Sequence, residues 1–144
     1  MTGFIIDASV AVKWLYVEPY WENALLYFDS SENLYAPDLI QQEVANAIVK
    51  KVRFSDVKPE DGWQSYTSLF QSNFITLIPV IELINRAYIL AVTIEHSLHD
   101  CAYLAAAEKF KAEVVTADQK FYRRVIEHGQ YSHLIHWVEE PLTV

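Results

Sequence analysis

The chain reads as an α/β protein of three layers, α/β/α, with a central, mainly parallel sheet of about five strands. Three observations predict the layers. Short β-branched or aromatic runs alternate with segments of helical spacing along all 144 residues, and strands separated by helices pair in parallel with both sheet faces covered. Apolar residues make up 52% of the chain, and at this length a domain buries roughly 70% of its unfolded surface, enough for one core. No repeat, low-complexity tract or linker interrupts it, so residues 1–144 are read as a single domain.

The elements follow in order. Residues 3–6 form an apolar strand ending at Asp7, and residues 9–15 resume at helical spacing. After Pro19 a second helical pattern carries Trp21, Leu25, Leu26 and Phe28. Leu34-Tyr35-Ala36 is a strand expected to stop at Pro37, and Asp38 is the expected N-cap of a longer helix buried along Leu39, Ile40, Val44, Ala47, Ile48 and Val52. Pro59, with Glu60 and Asp61 behind it, opens another helix running to about Phe70. Residues 74–78 read as a strand, 81–92 as a helix, 100–110 as an alanine-rich helix and 113–116 as a strand. A helix over 119–127, closed by Gly129, and a strand over 134–137 complete the order.

Four acids stand at the polar edges of these apolar elements: Asp7, Glu43, Asp100 and Asp118. A carboxylate beside a buried element is costly unless a cation or hydrogen bonds compensate it. Ligands of parallel sheets bind at the C-terminal edge of the strands, near a switch in topology. Asp7 ends the first strand, Asp118 lies two residues past Thr116, and Asp100 opens a helix, so three acids can share that rim; Glu43 joins only if its helix crosses there. Unit charges 4 Å apart interact by roughly 4 kcal/mol at an effective dielectric of 20, a repulsion that a divalent cation relieves. Carboxylates suit Mg²⁺ or Mn²⁺ better than zinc, and such an ion activates water and orients phosphate, which makes phosphodiester hydrolysis the leading reaction class.

Composition narrows the setting. The net charge of −8 is unusual for a protein that grips nucleic acid with a broad basic face. A polyanionic substrate therefore calls for metal ions or a local basic cluster. Lys120, Arg123 and Arg124, directly after Asp118, form the cluster read as holding the phosphates of such a substrate; Lys50, Lys51 and Arg53 suit a helix C-terminus equally well. One cysteine, Cys101, excludes an internal disulfide and reads as a packed small residue. No apolar run is long enough to span a bilayer and the first residues carry no secretory pattern, so the expected setting is cytoplasmic, without membrane.

Asp7-Ala8-Ser9 after the first strand, Glu43-Val44-Ala45-Asn46 on a helix, His99-Asp100-Cys101-Ala102 at a helix start and Thr116-Ala117-Asp118 after a late strand resemble the motifs of PIN-domain nucleases. Within that superfamily the chain most resembles the VapC toxins of toxin–antitoxin modules. The resemblance covers nearly the whole chain. It implies that Asp7, Glu43, Asp100 and Asp118 bind Mg²⁺ or Mn²⁺ and position the attacking water, with Ser9, Asn46 and Thr116 as supporting polar residues. It also implies endoribonuclease cleavage of RNA, inhibition by a cognate antitoxin, and a homodimer. Gln119 departs from the pattern, standing where some relatives carry a further acid.

Other readings are kept beside this one. A PIN-fold binding module with little or no catalysis, or a non-toxin PIN nuclease of RNA processing, shares the same motifs. A phosphoacceptor receiver domain lacks its central Asp here, since Ile78-Pro79 ends that strand, and a haloacid-dehalogenase-type phosphatase needs an acid where Ser9 stands. His96 and His99 form no His-Glu-x-x-His pattern and read as surface or capping residues. Trp14, Tyr16, Tyr20 and Trp21 read as core, with a partner groove as the alternative.

Overall fold

Five strands, β1 (Phe4–Ile6), β2 (Leu34–Pro37), β3 (Thr76–Ile78), β4 (Glu113–Thr116) and β5 (Ile135–Trp137), lie in the spatial order β3-β2-β1-β4-β5. Every neighbouring pair is parallel, so the expected mainly parallel sheet is wholly parallel. The computed structural model describes residues 3–142; the outermost positions of the 1–144 range lie outside the described residues.

Seven helices cover the sheet: α1 (Ala8–Leu15), α2 (Trp21–Phe28), α3 (Ile40–Phe54), α4 (Pro59–Gln71), α5 (Ile84–Ile94), α6 (Leu98–Phe110) and α7 (Gln119–His128). α1 packs on α2 and α3, and α3 on α4, while α5 packs on α6 and α7. These two groups are the outer layers, and the sheet between them is buried on both sides. That is why its strands are short unbroken apolar runs, with Ile5, Ile6, Val114 and Val115 fully buried. α6 is buried almost all round, from Cys101 to Ala107, because it is wedged between α5 and the central strands. Its alanines let it approach the sheet closely, and Cys101 packs among them as read; burial pushes that thiol up to about 12, where it is inert.

Several boundaries differ from those expected, each for a local reason. Pro37 does not end β2 early; it is the last β2 residue, in register with Ile78, and the ladder continues through Asp38 N–H to the Ile78 carbonyl at 2.8 Å. Asp38 is not the α3 cap: Leu39 occupies that position, and the Asp38 carboxylate instead accepts from Val80 N–H at 3.1 Å, tying the two loops together. The expected helix over 81–92 splits into a 3₁₀ turn, Val80–Glu82, and α5. Ser97 caps α6, accepting from Asp100 N–H, so Asp100 lies inside the first turn rather than at its edge. The last strand begins at Ile135, after a 3₁₀ turn.

The chain leaves β1 for β2 and β3 on one side, then crosses back to β4 and β5 on the other. The topology therefore switches between β1 and β4, whose C-terminal ends carry Asp7 and Thr116-Ala117-Asp118. Asp7 N–H continues the β1–β4 ladder to the Val115 carbonyl at 3.1 Å, which fixes Asp7 at that rim. Among the described residues no helix is long and apolar enough to cross a membrane.

Candidate acidic active site

Asp7 is the buried centre of the rim, only 5% exposed. Its Oδ2 accepts from Ser9 Oγ at 2.6 Å and from Thr116 Oγ1 at 2.8 Å, so the two hydroxyls read as supporting residues meet on one carboxylate oxygen. Ser9 Oγ in turn accepts from Ala117 N–H and Thr116 Oγ1 from Asp118 N–H, both at 3.0 Å. Asp7 stands at the head of α1 but makes no side-chain cap bond; its carboxylate faces the sheet edge instead. Burial pushes its carboxyl up to about 7, helped by the negative charges of Asp100 and Glu43 and opposed by the Ser9 and Thr116 hydrogen bonds.

Asp118 does cap its helix: Oδ1 accepts from the Lys120 and Phe121 amides at 3.0 and 3.2 Å. Asp100 gives its Oδ2 to His96 Nε2 at 2.6 Å. Burial raises the Asp100 carboxyl above the usual carboxylate range, His96 pulls it down, and the charge of Asp118 pushes it up. Glu43 lies on the rim face of α3, where Tyr103 of α6 donates its hydroxyl to Oε1 at 2.6 Å. Burial raises this carboxyl too, Tyr103 opposes the rise, and Asp100 and Asp118 add to it.

The mutual repulsion defines the cluster. The charges of Asp100 and Glu43 raise Asp7, and those of Asp100 and Asp118 raise Glu43, so the four carboxylates lie near enough to repel one another, with Glu43 tied to α6 through Tyr103, three residues after Asp100. As their side chains stand, no three His, Cys, Asp or Glu residues among those described close tightly enough to ligate one ion. Their donor pattern nevertheless fits one. In each carboxylate one oxygen is held by protein donors: Oδ2 of Asp7, Oε1 of Glu43, Oδ2 of Asp100 and Oδ1 of Asp118. The other oxygen of Asp7, Glu43 and Asp118 accepts no hydrogen bond from the described residues, whereas the Asp100 carboxyl is lowered by the Ser97 hydroxyl as well as by His96. Four hard oxygens with oriented partners suit Mg²⁺ or Mn²⁺.

Residues 4–126 match the profile of the PIN domain family. The chain belongs to that family. This PIN domain is 29% identical over 120 residues to Ribonuclease VapC3 of Pyrobaculum aerophilum, covering 81% of the chain and 89% of the relative. It is 25% identical over 114 residues to Ribonuclease VapC9 of Mycobacterium tuberculosis, covering 79% and 84%. Its fold is similar to the crystal structure of PAE2754 from Pyrobaculum aerophilum, with a TM-score of 0.68 at 16% identity over 95% of this chain and 90% of that one. It is also similar to a toxin–antitoxin complex from Klebsiella pneumoniae, with a TM-score of 0.67 at 15% identity over 95% and 98%.

Around the PIN-domain rim the remaining sequence expectations divide. Asn46 lies on the exposed side of α3, with no side-chain hydrogen bond to the acids. Lys120, Arg123 and Arg124 line a polar cavity of about 350 Å³ together with His96, Gln119 and Glu127; none of the four acids lines it, and His96 is its link to Asp100. Two residues were missed by sequence reasoning. His96 is not a surface histidine but the partner of Asp100, and Tyr103 is the partner of Glu43. A signal existed for both, since they stand four residues before and three after Asp100, but their targets depend on how the turn and helices pack.

The aromatic cluster on α1 and α2 packs. Trp14 Nε1 donates to the Ala24 carbonyl at 2.8 Å and its ring meets Phe28 edge-on; Tyr20 meets Trp137 in the same way. Lys51 pairs with Glu18 and sits over the Tyr16 ring, so this cation fastens α3 to the loop after α1. The open apolar surface lies elsewhere, in a cavity of about 350 Å³ between α3 and α4. Ile48, Val49, Val52, Trp63 and Tyr66 line it, and Gly62 lets the helices close, since a Cβ there would meet Ile48 Cγ2 at 2.8 Å.

Proposed function

We propose that this PIN domain is a divalent-metal-dependent endoribonuclease of the VapC toxin type, acting in the cytoplasm and neutralised by a cognate antitoxin. The observation that carries the reading is the set of four carboxylates at the switch point, each with an oxygen held by protein donors. The VapC ribonucleases among its relatives support the same substrate class.

Asp7, Glu43, Asp100 and Asp118 would hold Mg²⁺ or Mn²⁺, which supplies charge neutralisation at the phosphate and an activated water. The chain's own residues do the rest. Ser9 and Thr116 fix Asp7, Tyr103 fixes Glu43, and the α7 amides fix Asp118, so the acids reach the reacting phosphate already oriented. Lys120, Arg123 and Arg124 offset the repulsion between RNA and a protein of net charge −8. Residues 1–144 act as one unit. The exposed apolar residues Tyr88, Ile89 and Val92 of α5 supply a homodimer contact, and the groove between α3 and α4 supplies the antitoxin contact.

The test is calorimetric Mn²⁺ titration of the native protein, Asp7→Asn and Asp100→Asn, with RNA cleavage measured in parallel. Mn²⁺ binding and cleavage by the native protein, both lost in the variants, are expected. A native protein that binds no divalent ion, with variants that cleave as well as it does, rejects the mechanism.

A further inference from the structure

We propose that His96 is a positioning residue that sets the orientation of Asp100 and its distance from Asp118; the inference rests on the metal-dependent reading above. His96 follows the C-terminus of α5, where Glu95 takes the left-handed conformation at φ 55° and ψ 54°. A non-glycine residue is disfavoured in that region, so the packing of the turn must hold it there. The amides of Glu95 and His96 both return to the Ala91 carbonyl, the latter at 3.1 Å, which closes the turn.

The turn aims the imidazole at two targets. Its Nε2 meets Asp100 Oδ2 at 2.6 Å; a carboxylate only accepts, so Nε2 carries the hydrogen. Its face lies on Phe121, with ring centroids 5.5 Å apart and planes 8° apart. Phe121 is fully buried in the first turn of α7, and its own amide donates to Asp118 Oδ1. A continuous chain therefore runs from Asp100 through the His96 bond, the His96–Phe121 stack and the Phe121 amide to Asp118. It joins the first turns of the two helices at whose starts Asp100 and Asp118 stand.

The main chain reinforces the bracket. Asp100 N–H is tied to Ser97 Oγ at 3.2 Å, so backbone and carboxylate are both held by the turn that precedes them. Only 11% of the His96 side chain and 19% of the Asp100 side chain remain exposed, which leaves the pair little freedom to turn. An outer partner that orients a ligand in this way typically changes metal affinity 10- to 100-fold when removed.

Two variants separate the roles. H96F keeps an aromatic face on Phe121 and loses the donor; H96Q keeps a donor and loses the stack. Mn²⁺ affinity is expected to fall about 10- to 100-fold in H96F, with kcat falling, KM for RNA unchanged, and RNA binding in chelator unchanged. H96Q is expected to recover a clear part of the Mn²⁺ affinity. An H96F protein within twofold of the native affinity, or an H96Q protein no better than H96F, overturns the inference. If H96F fails to fold, H96A with added imidazole decides: restored Mn²⁺ affinity supports the role and no restoration rejects it. A native protein that binds no Mn²⁺ overturns both this inference and the metal-dependent reading, whereas native binding matched by H96F removes this inference alone.

Discussion

The Tyr103 hydroxyl donates to Glu43 Oε1 at 2.6 Å, joining α6 to α3 across 60 positions of sequence. Tyr103 is fully buried, so Tyr103→Phe removes the donor without opening the core. A hydrogen bond to a charged group contributes roughly 1.5–3 kcal/mol. Tyr103→Phe is therefore expected to lower stability by about that much in urea unfolding, and to reduce cleavage by releasing the Glu43 carboxylate.

A second expectation concerns pH. Asp7 is raised by burial to about 7 from an ordinary value of 3.8, and Glu43 and Asp100 are raised in the same direction. Carboxyls raised by folding favour the folded state while protonated, so their contribution is fully present below pH 4 and is lost as pH rises through about 7. In chelator, the Asp7→Asn protein should be less sensitive than the native protein over that window. Between pH 5 and pH 8 the Asp7 difference amounts to at most about 3 kcal/mol, at about 1.4 kcal/mol for each tenfold change in proton concentration up to about pH 7. Thermal melts at pH 5 and pH 8 measure it; identical pH dependence in both proteins contradicts it.

The basic start of α7 predicts a salt effect. Neutralising Arg123 and Arg124 to Gln is expected to weaken RNA binding at low salt and to reduce the slope of log affinity against log salt by about 1.4, at 0.7 per lost phosphate contact on a single strand. Mn²⁺ affinity should be unchanged. A salt titration with an unaltered slope removes these residues from the RNA path.

For the exposed face of α5, Ile89→Asp places a charge between Tyr88 and Val92 on the proposed homodimer contact. Light scattering should show the native mass halved at micromolar concentration, with the thermal midpoint of the chain itself little changed. A native monomer, or a dimer indifferent to the substitution, argues against this face.

Trp63, 63% exposed and stacked on Tyr66, is the anchor expected of the α3–α4 groove. Trp63→Ala should weaken binding of the cognate antitoxin by at least about 2 kcal/mol, as buried aromatic anchors do. Titration calorimetry reads the loss, and unchanged affinity moves the contact elsewhere.

Much of the fold was legible because local pattern and tertiary demand agree. β4 spans Glu113–Thr116 as expected, around the β-branched run Val114-Val115-Thr116, and α7 ends against Gly129 as its spacing predicts. Asp7 and Asp118 were legible at the site because the ends of parallel strands must face one edge. Glu43 was not, since its place depends on the path of a 15-residue helix over the sheet; only the family resemblance identified it. Asp38 misled because a strong capping residue was spent on Val80 in a neighbouring loop. His96 and Tyr103 stayed hidden because the geometry of a left-handed turn and of two crossing helices decides what a side chain meets.

The bond between Thr116 and Asp7 closes over 109 positions. A ribosome releases Asp7 more than a hundred residues before Thr116, so the growing chain carries Asp7, Glu43 and Asp100 before the strand edge that holds Asp7 exists. Asp7 therefore takes its place at the rim only once β4 has been synthesised and can pair with β1.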